Sequence, residues 1–200
     1  NKSYATNDKI IRDPLYMTQY FENINLFLAD VKKHIGDELF VVILEPDFLG
    51  YIQQNNKPVT HETAVSDTQI AAGVGTLKQL VHRINKEFDT RRTQDRLNML
   101  YGWQLNLWSK NGAGTFGITL ETDSGDFNTK LDMIRQFTRD LGQYGIDAGV
   151  LSNNADVISI DKYGWDAIAA DTPTNTGPDP VTTPPDYPCY WTHDHWLNSL

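Results

Sequence analysis

The sequence predicts a parallel α/β fold, and three observations point there. An unbroken apolar run, Leu39-Phe40-Val41-Val42-Ile43-Leu44, reads as a strand buried on both faces. Stretches with apolar residues at three- and four-residue steps, the mark of amphipathic helices, flank such runs. Elements that alternate in this way build parallel sheets through right-handed crossovers.

Taken in order, the first strong element is a helix from Leu15 to Ile35. Met17, Phe21, Ile24, Phe27, Leu28, Val31 and Ile35 recur at three- and four-residue steps, which puts them on one of its faces. Asp13-Pro14 supplies an N-cap and a first-turn proline, and Gly36 stops the helix. The apolar strand follows and ends at Glu45-Pro46-Asp47. Phe48 to Asn56 reads as a short helix or turn, and Lys57 to Asp67 as a polar loop. A second helix is expected from Thr68 to Phe88, with Ile70, Val74, Leu77, Leu80, Val81 and Ile84 inward, and a charged connection from Thr90 to Asp95. Tyr101 to Trp108 alternates as a strand. A third helix spans Phe127 to Tyr144, with Gly145 as its C-cap, and a third strand, Val157 to Ile160, ends at Asp161. Thr172 to Pro188, rich in Pro, Thr and Asp, is a long loop, and an aromatic segment from Tyr190 to Leu200 opens a further helix.

Three strands are too few to close an eight-stranded barrel. Either strands from outside these 200 residues complete one, or the sheet is open. The chain reads as a single domain or a fragment of one, without internal repeats.

Composition narrows the function. Hydrophobic residues make up 40% of the chain and charged residues 22%, enough apolar content for a packed core. A formal net charge of -9 argues against a nucleic-acid backbone or an anionic membrane as partner, since both reward a basic face. The longest apolar runs fall far short of the roughly 20 residues of a membrane span, so no membrane insertion is expected. The single cysteine, Cys189, excludes an intrachain disulfide and a cysteine metal cluster. The opening Asn1-Lys2-Ser3-Tyr4 reads as a processed or excised start, so the lack of a signal peptide carries no weight. The chain has five Trp and nine Tyr, the side chains whose apolar faces stack on sugar rings, although core filling uses them too.

In parallel α/β folds, functional groups gather at the C-terminal ends of strands. Applied here, that rule collects Glu45 and Asp47 from the first strand, Gln104, Asn106 and Trp108 from the second, and Asp161, Lys162 and Tyr163 from the third. Glu45 is the sharpest candidate, because a carboxylate directly after a continuous apolar strand is costly to desolvate. Desolvation raises a carboxyl pKa, which suits a general acid that protonates a glycosidic oxygen. The alternative is a strand-end glutamate paired with a basic neighbour. Asp47 either shares the mouth or caps the next turn. Asp161 is a second carboxylate for the pair that glycoside hydrolysis requires, or else a partner of Lys162 or an N-cap. Gln104 and Asn106 face away from the Trp103 side and suit hydroxyl recognition, with Trp108 and Tyr163 as stacking platforms. His193, Asp194 and His195 have a spacing that fits metal on a strand but points apart on a helix, so no metal site is assigned. No cofactor is required.

The segment Val-Val-Ile-Leu-Glu45-Pro-Asp47-Phe-Leu-Gly50-Tyr-Ile-Gln53-Gln54 resembles the EPDLWGYMQQ-type segment of bacterial secreted glycoside-hydrolase-like TIM-barrel proteins. The resemblance implies a TIM-like (β/α) barrel, incomplete in this chain, whose fourth strand carries Glu45 as acid/base. It also implies an extracellular or cell-surface location and a carbohydrate substrate. The Leu-Glu-Pro-Asp string is similar to one in cellulose-degrading family 6 hydrolases, whose functional acids are aspartates, and this makes Asp47 the rival. The expected function is a glycoside hydrolase or close relative. The competing class is a non-catalytic carbohydrate-binding or structural surface or filament protein.

Overall fold

The computed structural model describes residues 4–110 and 127–161, with side chains placed for all of these except 110 and 127–134. Its elements run α1 (Tyr4–Arg12), α2 (Pro14–Ile35), β1 (Phe40–Leu44), α3 (Phe48–Gln54), β2 (Glu62–Val65), β3 (Ile70–Thr76), α4 (Leu77–Gln94), β4 (Met99–Asn106), a 3-10 turn (Leu107–Lys110), α5 (Phe127–Ala148) and β5 (Val157–Asp161).

The expected barrel is not formed. Among the described residues the parallel sheet has three strands, in the order β1-β4-β5, and both of its edges are open. Strand β1 is not buried on both faces, since Val41 is 54% exposed. The parallel register itself follows the expected crossovers, with Leu44 opposite Trp103 and Asn106 opposite Asp161.

One sheet face carries Tyr101, Trp103 and Leu105, all buried, and both α4 and α5 pack on it. Asn85 of α4 fixes this layer. Its Oδ1 accepts from the Trp103 indole at 2.7 Å, and its Nδ2 lies 3.1–3.3 Å from the carbonyls of Gly149, Val150 and Ser152. The Tyr101 hydroxyl donates to the carbonyls of Asn85 and Asn153. A fully buried asparagine is tolerable because each of its side-chain groups has a partner.

Helix α2 begins and ends where the residues dictate. Asp13 caps it by accepting from the Leu15 and Tyr16 amides, and Gly36 at φ 68° terminates it. The helix expected from Thr68 is instead a hairpin followed by α4. Strands β2 and β3 pair antiparallel, with Glu62 opposite Thr76. Gly73 sits at φ 67°, and a side chain at Gly75 would strike the Val65 carbonyl, so a backbone this closely paired cannot coil as a helix. The helix starts at a capping box: Gln79 reaches back to the Thr76 amide while the Thr76 hydroxyl accepts from the Gln79 amide. It runs on to Gln94 through the expected connection at Thr90. Gly145 does not end α5. It lies inside the helix against Leu105, which a Cβ there would approach to 3.3 Å, and Gly149 at φ 85° ends the helix. Helix α1 was not expected and packs against β2, α2 and α3. No helix among the described residues is long and apolar enough to cross a membrane.

Candidate functional site

The strand–helix turn after β1 carries the two leading carboxylates. Glu45 lies at φ 41° and Asp47 at φ 70°, on either side of Pro46. Successive alternate residues of a strand point to one face. Left-handed backbone at both positions breaks that alternation, and the two side chains leave the turn into different surroundings.

Asp47 joins the mouth of the sheet. It stands at the N-cap position of α3, yet its carboxylate makes no cap hydrogen bond. Asn106 Nδ2 donates to its Oδ1 at 2.9 Å, and Gln104 Nε2 lies 3.5 Å from the same oxygen. Asn106 Nδ2 also reaches Asp161 Oδ2 at 3.3 Å. One amide nitrogen thus bridges carboxylates from the ends of β1 and β5, an arrangement set by the pairing of Asn106 with Asp161 in the ladder. Because a single nitrogen touches both, the two oxygens lie within about 6 Å of each other. Asn106 is fully buried, and its Oδ1 has no partner among the described residues. An orphaned buried acceptor costs about 1–3 kcal/mol, so this one marks a place able to receive a donor.

Trp108 stands beside this group, half-buried, with its ring 5.0 Å from that of Tyr51. Gly50 lets α3 come this close, since a Cβ there would lie 2.8 Å from both Asn106 Oδ1 and the Trp108 ring. Ser109 donates to Gln53 Oε1 at 2.6 Å and ties the 3-10 turn to α3.

Glu45 goes the other way. Its Oε1 accepts from the Tyr20 hydroxyl of α2 at 2.7 Å. Burial, reinforced by the Glu45 charge, holds the Tyr20 phenol well above its ordinary pKa, so the phenol remains the donor. The two residues line a cleft of about 330 Å³ with α1, α2 and α4. Asp47, Gln104, Asn106 and Asp161 are therefore brought together, with Trp108 adjacent to Asn106, and Glu45 is bound to a partner outside that network. Lys162, Tyr163, the 172–188 loop and the His193-Asp194-His195 group lie outside the described residues. Among the described residues no cluster of three His, Cys, Asp or Glu side chains is arranged to hold a metal.

Tyr20 was not foreseen as a site residue. The signal available was Tyr16 and Tyr20 one helical turn apart beside the apolar stripe, which places a phenol at the edge of the core. Comparisons with family models, with curated proteins and with solved structures return no match for this chain.

Proposed function

We propose that the chain acts on carbohydrate as a glycoside hydrolase, with Asp47 and Asp161 as the carboxylate pair. The observation that carries this reading is the Asn106 bridge, which brings two carboxylates from different strand ends to one place. The bound of about 6 Å between their nearest oxygens is compatible with the roughly 5–5.5 Å spacing of a double displacement, the chemistry we assign to the pair. In that chemistry one aspartate attacks the anomeric carbon while the other protonates the departing oxygen. Water then cleaves the resulting ester, deprotonated by the second carboxylate. Asn106 orients the pair, the half-buried Gln104 is placed to meet sugar hydroxyls, and Trp108 offers a face for a pyranose ring. The acid/base role expected of Glu45 passes to the aspartates. The resemblance of the 41–54 segment to secreted glycoside-hydrolase-like proteins supports the substrate class and an extracellular setting.

The test is hydrolysis of a panel of nitrophenyl glycosides and polysaccharides by the wild type, Asp47→Asn and Asp161→Asn. Positioned carboxylates contribute roughly 10²–10⁴-fold, so each variant should lose about that much turnover or more. Unaltered turnover in either variant rejects the pair. The Asn106 bridge also suits the second class, a glycan-binding protein without turnover, because both carboxylates are already held by an amide. Saturable glycan binding with no product from any member of the panel would select that class.

A further inference from the structure

We propose that the cleft beside Glu45 is a second, separate site that binds a small organic ammonium, a cationic nitrogen on a compact apolar body. The cleft, of about 330 Å³, falls in the size range of small-molecule pockets. Its walls are mostly apolar, lined by Ile10 of α1, Met17 of α2, and Leu80 and Ile84 of α4, with Thr6 and Asn7 of α1 as neutral polar neighbours. At one end stand Glu45, Tyr20 and Tyr16.

Three features of that end select the ligand. The first is an uncompensated charge. Glu45 is half-buried, receives one hydrogen bond from Tyr20, and forms no ion pair with a basic side chain among the described residues. A carboxylate held against apolar walls without a counter-ion is a costly arrangement that a bound cation relieves. The second is the phenol. Burial keeps Tyr20 protonated, so it orients the carboxylate without adding charge. Together with Tyr16 it also offers aromatic rings, which attract cations. The third is the backbone. A glutamate at φ 41° is a strained residue of the kind that clusters at ligand clamps, and the strain directs its side chain into this cleft. An anion would be repelled by Glu45, and the neutral polar groups of Thr6 and Asn7, which also line the cleft, leave the Glu45 charge unbalanced, so a cation gains more here than a neutral polyol. The inference does not depend on the carbohydrate reading, because none of its residues belongs to the Asn106 network.

The experiment is calorimetric titration of the full chain at neutral pH with benzylammonium, benzyl alcohol and benzoate, three ligands of similar shape and different charge. The ammonium should bind at least about tenfold more tightly than the alcohol, and benzoate should not bind. Glu45→Gln should erase the preference for the ammonium over the alcohol, and Tyr20→Phe should reduce it less. Amide shift changes in the wild type, read by NMR on titration with benzylammonium, should centre on Ile10, Tyr20 and Glu45, a result that needs no variant to fold. Equal affinity for ammonium and alcohol, unchanged affinity in a folded Glu45→Gln, or shift changes centred elsewhere would overturn the proposal. These readouts are binding alone, so a failure here is distinct from a failure of hydrolysis.

Discussion

Glu45 and Asp47 are separated by one proline, and their surroundings have little in common. Glu45 meets a phenol and aliphatic walls, whereas Asp47 meets two amides and, through one of them, a second carboxylate. A continued strand would have aimed both at one face. The two left-handed residues turn what would be a single acidic patch into two sites of opposite character, one apolar with an isolated charge and one polar with a shared hydrogen-bond hub. The lesson is that a short motif can reach two unlike surroundings when its backbone, and not its spacing, sets where the side chains go.

The sharpest way to break this contrast is a crossed experiment. Asp47→Asn should lower glycoside turnover roughly 10²–10⁴-fold and leave benzylammonium affinity unchanged, while Glu45→Gln should do the reverse, with turnover reduced less than about tenfold. If both variants damage both readouts alike, the two regions act as one. Next in size is Asn106→Ala, which removes the bridge between the aspartates. It should lower the unfolding free energy by about 1–3 kcal/mol in urea titration and reduce turnover, and leave benzylammonium affinity at the cleft beside Glu45 unchanged. Gly50→Ala then probes the packing around the mouth. Its methyl would press on Asn106 and Trp108, and the overpacking, about 1–3 kcal/mol, should exceed the gain of roughly 0.5–1 kcal/mol from helix propensity, lowering the denaturation midpoint.

The smallest effect concerns α1, which walls the cleft and not the mouth. Burial pushes the Asp8 carboxyl up, but the hydrogen bond with His61 at 2.6 Å and the Arg12 charge outweigh it, and its pKa is lowered. A lowered pKa means the folded state binds fewer protons. Its contribution is therefore complete above the ordinary aspartate value of about 3.9 and disappears as pH falls through the folded value. Asp8→Asn should be less stable than wild type at neutral pH by less than about 1 kcal/mol, and the difference should vanish in strongly acidic buffer. Thermal unfolding midpoints across pH would check the sign.

Much of the mouth was legible before the structure. Strand ends in a parallel sheet converge, and residue parity separates Gln104 and Asn106 from Trp103, so these residues and Asp161 could be placed from pattern alone. The limits of α2 could be read for similar reasons, since Asp13, Pro14 and Gly36 are local signals. The direction of Glu45 could not be read, because it depends on a positive φ that a glutamate seldom adopts. Tyr20 was missed because its contact spans 25 residues of sequence. The β2–β3 hairpin was hidden by Ile70, Val74 and Leu77, whose spacing imitates a helix. Gly73, Gly75 and the Thr76–Gln79 capping signature marked the true boundary. The barrel expectation failed for another reason: alternation of strands and helices specifies parallel pairing but not closure.

Gly102 opens the β4–β5 pairing at the opposite end from Asn106 and Asp161, and the Val157 carbonyl of β5 occupies the space a side chain there would need, 1.7 Å from its Cβ position. Any larger residue at this point would act as a wedge, splaying the two strands like the jaws of a clothes-peg pressed at its tail. Four residues further on, the gap between Asn106 and Asp161 would widen, although neither had been altered. The reach of the hub is thus calibrated from a distance, by an atom that is missing.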